Sequence, residues 1–289
     1  MTVTTTPPPP AHAGGSPSTH AGGSPSAVKS AQIRLFGLTI DVLTMRGAVA
    51  KLMDWIAAPD GECRYVVTPN VDHVVMAQHH EGLRKAYADS ALVLADGMPV
   101  VWASRLLGKR LPERVAGADL VPALFDAADD SRKLTVYLLG AAPGVAERAR
   151  REIESRWPAV EVVGVYSPPL GFEKDDAENA NILARIAQAD PDVLVLGLGA
   201  PKQELWIQEH RELVSARVAL CVGATIDFLA GEKPRAPRWM RRTGLEWVHR
   251  LCSEPRRLLK RYARDAREFP RLVWREFVHR RVENDLRKE

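Results

Sequence analysis

Six short apolar runs punctuate the chain: Arg64 to Thr68, Ala91 to Ala95, Leu134 to Leu139, Val160 to Val165, Val193 to Leu198 and Val218 to Val222. They read as nearly unbroken Val and Leu rather than as an alternation of apolar and polar, the pattern of strands covered on both faces. Between them lie helix-length stretches, including Val71 to Ala88, Gly144 to Trp157, Asp175 to Ala189 and Pro201 to Val214. Strand and helix in repetition predict an α/β fold built on a doubly wound, mostly parallel, Rossmann-like sheet. Ligands of such sheets bind outside the carboxyl ends of the strands. The residues that follow the runs are Thr68-Pro69-Asn70, Asp96-Gly97, Gly140 to Gly144, Tyr166-Ser167, Gly197 to Glu204 and Gly223 to Asp227, so polar and glycine residues gather on one edge.

Composition divides the chain into three. Residues 1–30 are almost all Pro, Thr, Gly, Ser and Ala, with the heptamer His12 to Ser18 repeated from His20 to Ser26; such a segment has nothing to bury and is expected to be disordered. Residues 31–232 form the α/β domain, and 233–289 a basic helical appendage. The net charge of +4 conceals an asymmetry: residues 1–232 carry 22 Lys and Arg against 28 Asp and Glu, and 233–289 carry 18 against 8. A basic surface attracts phosphate, whether in a diphosphate substrate, anionic lipid or nucleic acid. No base-reading module accompanies it, which leaves nucleic acid the weakest of the three. Cys63, Cys221 and Cys252 are widely spaced, without the pairing of a disulfide framework or zinc site, and fit a reducing cytosol. No apolar stretch approaches the roughly 18 residues of a membrane span, and the N-terminus lacks a secretory pattern.

The chemistry-bearing residues each admit two readings. The loop Gly197 to Glu204 has glycines where a strand turns into a helix, which lets backbone N–H groups approach a phosphate; the alternative is a tight turn. The dinucleotide fingerprint needs a third glycine where Lys202 stands, so no nicotinamide cofactor is expected. Asp96 can serve as a base for a hydroxyl proton or as an N-cap. Thr68 and Asn70 can bind hydroxyls or cap the helix near Val71. Asp190-Pro191-Asp192 resembles a metal-binding pair but enters a strand, so it reads as a helix-to-strand turn. His79-His80 lack the i, i+4 spacing of a helical zinc site, and no catalytic metal is expected. A departing diphosphate then needs protein cations, which Arg235, Arg238, Arg241, Arg242 and Arg250 can supply. Beyond Pro255, Leu258, Leu259, Tyr262, Leu272, Trp274 and Phe277 interleaved with arginines describe an interfacial helix; packing on the domain or on a second subunit is the alternative.

In order and spacing, Thr68 to His73, Ala95 to Met98, Glu113 to Leu120, Gly197 to Glu204, Gly223 to Gly231, Arg235 to Pro237 and Gly244 to Trp247 resemble the WecG/TagA/CpsF glycosyltransferase family over roughly residues 34 to 262. The resemblance implies an inverting, metal-independent transferase with no cofactor. It would move a sugar, N-acetylmannosamine in the best-known members, from UDP to N-acetylglucosamine on a polyprenyl diphosphate at the cytoplasmic membrane face. It assigns the base to Asp96, the sugar pocket to Thr68 and Asn70, and substrate contacts to Arg114, Gln203 and Glu204. The mechanism it suggests adds backbone N–H groups near Gly140 and Gly199 and the arginines Arg235 and Arg250 at the diphosphate, with Asp227 at the uridine. Ala116 and Ala118 stand where relatives often carry hydroxyl residues, which bears on sugar choice. A nucleotide-sugar epimerase or dehydrogenase and a non-enzymatic membrane adaptor are the rival classes. The oligomeric state stays open.

Overall fold

A computed structural model describes residues 1, 30–58, 62–129 and 131–286. The segment expected to be disordered lies, apart from Met1 and Ser30, outside these residues. An antiparallel hairpin, β1 (Gln32–Leu35) and β2 (Leu38–Asp41), precedes the main sheet. The six apolar runs become β3 (Arg64–Val67), β4 (Leu92–Val93), β5 (Leu134–Gly140), β6 (Val160–Tyr166), β7 (Val193–Gly197) and β8 (Val218–Cys221). They form one parallel sheet in the order β4-β3-β8-β7-β5-β6.

Alternate residues of each strand enter two separate cores. Tyr65, Val67, Leu139, Leu194 and Leu196 pack under α2 (Val71–His79), α3 (Glu81–Ala88), α7 (Asp176–Ala189) and α8 (Lys202–His210). Val66, Val136, Leu138, Val193 and Val195 pack under α1 (Met45–Ala57), α5 (Gly117–Asp126), α6 (Val145–Arg156) and α9 (Thr225–Leu229). Double coverage is why the runs carry no polar alternation. The stretch Val71 to Ala88, read as one helix, is two. His80 is extended at φ −123° and ψ 98°, and its ring Nδ1 accepts the Leu83 N–H at 3.1 Å, starting α3 with a fresh cap.

The Asp190-Pro191-Asp192 pair sits where a helix enters a strand, at the sheet edge away from the carboxyl ends, as its sequence reading expects. Asp190 ends α7 in the left-handed region, and Asp192 accepts from Thr135 N and Oγ1 at 3.1 and 2.9 Å while pairing with Arg132 and Arg217.

The appendage consists of α10 (Arg238–Arg242), α11 (Glu246–Ser253) and the long α12 (Pro255–Leu286), which contains Pro270. α4 (Met98–Leu106) follows β4 on the first core. α12 lies across α2, and its inward side joins that core: Leu272 is a buried member, and Phe269, Val273 and Phe277 are packed against it. Leu258, nearer the start of the helix, is fully buried. The Phe269 ring meets Phe36 of the hairpin edge-on at 5.3 Å. Of the two readings of the stretch from Arg256 onward, packing on the domain holds for this side, so the helix does not face outward all round. Only one side of the helix does, through Leu259, Trp274 and Val278.

Truncating the buried anchor should cost what a core cavity costs. Leu258→Ala is expected to destabilise the protein by about 2–5 kcal/mol in denaturant melts. Amide exchange should quicken in α12 before it does in β5 and β7.

Candidate active site

A cavity of about 410 Å³ opens at the carboxyl ends of β4, β3, β8 and β7. The strand ends contribute Thr68, Asn70, Asp96, Gly97, Gly199, Gln203 and Gly223; the approach to α5 contributes Arg114, Ala116 and Ala118. The appendage supplies the opposing wall with Glu246, Trp247, Arg250, Arg257, Arg261, Tyr262 and Asp265. β5 and β6 take no part. The cavity therefore sits over four adjacent strands of the six, where the chain has stepped outward from β3 to β4 and returned with β7 and β8.

Asp96 is not a helix cap. Gly97 occupies the N-cap of α4 at φ +119°, a conformation suited to glycine, and no side chain bonds to the helix start there. The Asp96 backbone N–H is tied to the Pro69 carbonyl at 2.9 Å, leaving the side chain on the cavity wall. Burial raises its pKa to about 7. Arg114 opposes the shift, Glu246 adds to it, Arg250 opposes it and Asp119 adds to it. A carboxylate poised there can take a proton near neutral pH.

The two readings of Thr68 and Asn70 resolve differently. Thr68 Oγ1 donates to the Cys221 carbonyl at 3.1 Å, clasping β3 to β8, and does not cap α2. Asn70 does cap it, accepting the His73 N–H on Oδ1 at 3.3 Å, while also lining the cavity. Its Nδ2 is the end that can serve a ligand.

Gln203 is engaged by the protein at both ends. Its Nε2 donates to Glu204 Oε1 at 2.8 Å and its Oε1 accepts the Gly223 N–H at 3.2 Å, so it braces the β8 loop of the cavity. Glu204 is fully buried and stands behind the cavity rather than in its lining. Burial pushes its pKa up to about 7 against the bond from Gln203. Gly199 lines the cavity at φ +81°, next to the cis Ala200–Pro201 bond.

Arginine and carboxylate interlock at the mouth. Arg114 reaches Asp119 and Glu246, each at 2.6 Å, and Asp119 also takes Arg241 at 2.8 Å and Arg235 at 2.7 Å. Asp119 thus ties α5 to the appendage, and Arg235 serves this clamp outside the cavity lining. Asp72, at the start of α2, holds Arg261 at 3.0 Å and Arg264 on α12. Arg250 lines the cavity, lies over the Phe228 ring at 6.0 Å and makes no ion pair with a described residue.

Like Glu204 and Arg235, two further residues expected at the ligand lie outside the lining. Gly140 pairs in register with Gly197, and a Cβ there would stand 2.5 Å from the Gly197 carbonyl carbon, so its missing side chain serves strand packing. Asp227 faces Lys233 at 3.5 Å and is not in the lining. Sequence reasoning assigned no role to Asp72, His73, Asp119, Arg257 or Arg261. The signal for the first three was present in the runs Thr68 to His73 and Glu113 to Leu120; that for α12 was masked by its resemblance to a surface helix. Among the described residues no cluster of His, Cys, Asp and Glu is arranged to hold a metal.

Glu204 sets a pH test of stability. Its folded pKa lies above the unfolded value, so it favours the folded state fully below about pH 4.5 and progressively less as pH rises through about 7. Glu204→Gln should remove this slope. The wild type's melting temperature, relative to the variant's, is expected to fall between pH 5 and 7.5, as read by parallel thermal melts.

Comparison with known proteins agrees with this layout. The sequence model of the Glycosyl transferase WecG/TagA/CpsF family matches residues 33–283. An N-acetylglucosaminyldiphosphoundecaprenol N-acetyl-beta-D-mannosaminyltransferase of Bacillus spizizenii is 35% identical over 193 residues, 67% of this chain and 72% of its own. Enzymes of the same name from two strains of Staphylococcus aureus are 29% identical over 229 residues, 79% of this chain and 87% of theirs. A doubly wound sheet with a carboxylate-bearing cavity at its carboxyl edge, walled by a basic helical appendage, is thus joined to a sequence match along nearly the whole described chain, and the protein belongs to the WecG/TagA/CpsF family of glycosyltransferases.

Proposed function

We propose that the protein transfers N-acetylmannosamine from UDP to N-acetylglucosamine carried on a polyprenyl diphosphate, with inversion and without a metal, at the cytoplasmic face of the membrane. The observation that carries the reading is Asp96: a carboxylate with its pKa near 7 on the wall of a cavity whose opposite side bears Arg250, Arg257 and Arg261. The relatives' names supply the two sugars and the lipid class.

In this reading the acceptor hydroxyl oxygen attacks the anomeric carbon as its proton passes to the Asp96 carboxylate. The bond from the anomeric carbon to the diphosphate oxygen breaks with its electron pair, and UDP leaves from the opposite face, which inverts the centre. Arg250 stabilises the charge growing on the diphosphate, and the backbone at Gly199 can approach it closely. Asn70 Nδ2 and the Thr68 oxygen serve sugar hydroxyls. Ala116 and Ala118 line the same cavity without a hydroxyl of their own, so the sugar meets a smoother wall there.

Among the described residues no helix is long and apolar enough to cross a membrane. Contact with the bilayer then falls to the exposed side of α12 and to its neighbours. Trp274 and Leu259 are exposed on α12, as are Trp102 and Leu106 on α4, with Arg271, Arg275 and Arg281 alongside. Trp and arginine together suit a lipid interface.

Two tests follow from these roles. Asp96→Asn, correctly folded, is expected to lose about 10²–10⁴-fold in kcat. Wild-type kcat/KM should rise with pH through about 7, since only the ionised carboxylate accepts the proton; near-normal turnover of the variant with both substrates in excess sinks the base assignment. For the membrane, the double substitution Leu259→Glu and Trp274→Glu is expected to reduce sedimentation with anionic liposomes while leaving UDP affinity intact. Unchanged sedimentation assigns that surface to protein contacts instead. Deleting α12 cannot make this distinction, because the deletion also removes a wall of the cavity.

A further inference from the structure

The cavity wall holds an imidazole that the mechanism above does not use. His73 lies one turn into α2, three residues after Asn70, and so on the same side of the helix. It is 8% exposed and lines the cavity. Behind it, Tyr87 of α3 is 3% exposed, with its hydroxyl 2.9 Å from His73 Nδ1. A buried phenol needs an acceptor for its proton. Among the described residues Nδ1 is the only hydrogen-bond partner of the Tyr87 hydroxyl, so the phenol donates and Nδ1 accepts.

That assignment fixes the tautomer. With Nδ1 an acceptor, the ring hydrogen is on Nε2. Nε2 has no hydrogen-bond partner among the described residues, yet it is not one of the sealed, unsatisfied polar atoms, so it retains access to the cavity.

The ring is uncharged. Burial lowers its pKa to about 4; Asp72 works against that shift, while Arg261 and Arg250 add to it. These groups, with Glu204 acting on Tyr87, are the charges that the pair meets. A neutral N–H beside two arginines is poorly matched to compete for phosphate, which the arginines take. It is well matched to an uncharged oxygen.

We propose that His73 reads the transferred sugar: Nε2–H donates a hydrogen bond to a hydroxyl or amide-carbonyl oxygen of that sugar, and Tyr87 is the positioning residue that holds the ring and its tautomer. The inference rests on the glycosyl-transfer reading and adds a specificity contact to it. A site built around such a donor disfavours a sugar lacking the matching oxygen, since the buried N–H is then left unpaired.

UDP and the UDP-sugar separate this role from a structural one, because UDP carries the uridine and diphosphate but no sugar. UDP affinity of wild type, His73→Phe, His73→Gln and Tyr87→Phe is measured by calorimetry, and kcat/KM by turnover of UDP-N-acetylmannosamine. UDP affinity should stay within about twofold throughout, while kcat/KM falls about 10–100-fold in His73→Phe, recovers in part in His73→Gln and falls less in Tyr87→Phe. Equal losses for UDP and the UDP-sugar, or no loss for either, overturn the proposal and leave the transferase reading standing. Wild-type protein that binds no UDP overturns both. If circular dichroism shows His73→Phe to be unfolded, the comparison of His73→Gln with Tyr87→Phe decides: UDP affinity kept and kcat/KM reduced in Tyr87→Phe but less so in His73→Gln supports the contact, and wild-type kcat/KM in Tyr87→Phe removes it.

Discussion

A parallel sheet covered on both faces has nowhere to put polar chemistry except its ends. Each strand here sends alternate side chains into two apolar cores, so every residue from Val193 to Leu196 is fully buried. Loops at one end link helix to strand and carry groups such as Asp192 that close the structure. Loops at the other end link strand to helix and carry Thr68, Asp96, Gly199 and Gly223 into one cavity. The site's location is therefore a result of how the core is built.

Charge follows the same division. The appendage's excess of arginine is not simply a solvated face, because carboxylates of the domain claim several of its members: Asp119 takes Arg235 and Arg241, and Asp72 takes Arg261 and Arg264. These pairs are partly buried and multiply connected, which makes them better at fixing position than isolated surface pairs. They hold the appendage over the strand ends, and within that frame Arg250 is left with its charge directed at the cavity and at Asp96. The raised pKa of Asp96 is thus the outcome of burial in a wall that two segments of the chain complete together.

Much of this was legible in the sequence, and the remainder failed for identifiable reasons. The apolar runs located all six parallel strands, because continuous Val and Leu leave few alternatives. The hairpin escaped notice because its four-residue strands are too short for a pattern. His80 broke a helix that periodicity ran straight through, since an imidazole cap has no hydrophobic signature. At the site, Asp96, Asn70, Gln203 and Arg250 could be placed at the cavity by residue type and position after a strand, whereas Gly140, expected there as well, lies outside the lining. The bonds that Gln203 makes to Glu204 and Gly223, and the close strand contact at Gly140, carry no signal in the sequence. α12 was hardest. A helix that is apolar on one side and basic on the other looks the same whether its apolar side meets lipid or protein, and only the surrounding fold could show that Leu258 and Phe269 are already occupied.

The proline within α12 has a further effect. Pro270 has no amide hydrogen, so the Ala266 carbonyl one turn earlier cannot receive its i+4 bond. Both residues belong to the stretch of helix that walls the cavity. The guanidinium groups of that wall are all donors. Pro270, by contrast, leaves the same stretch with a main-chain acceptor that lacks its i+4 donor.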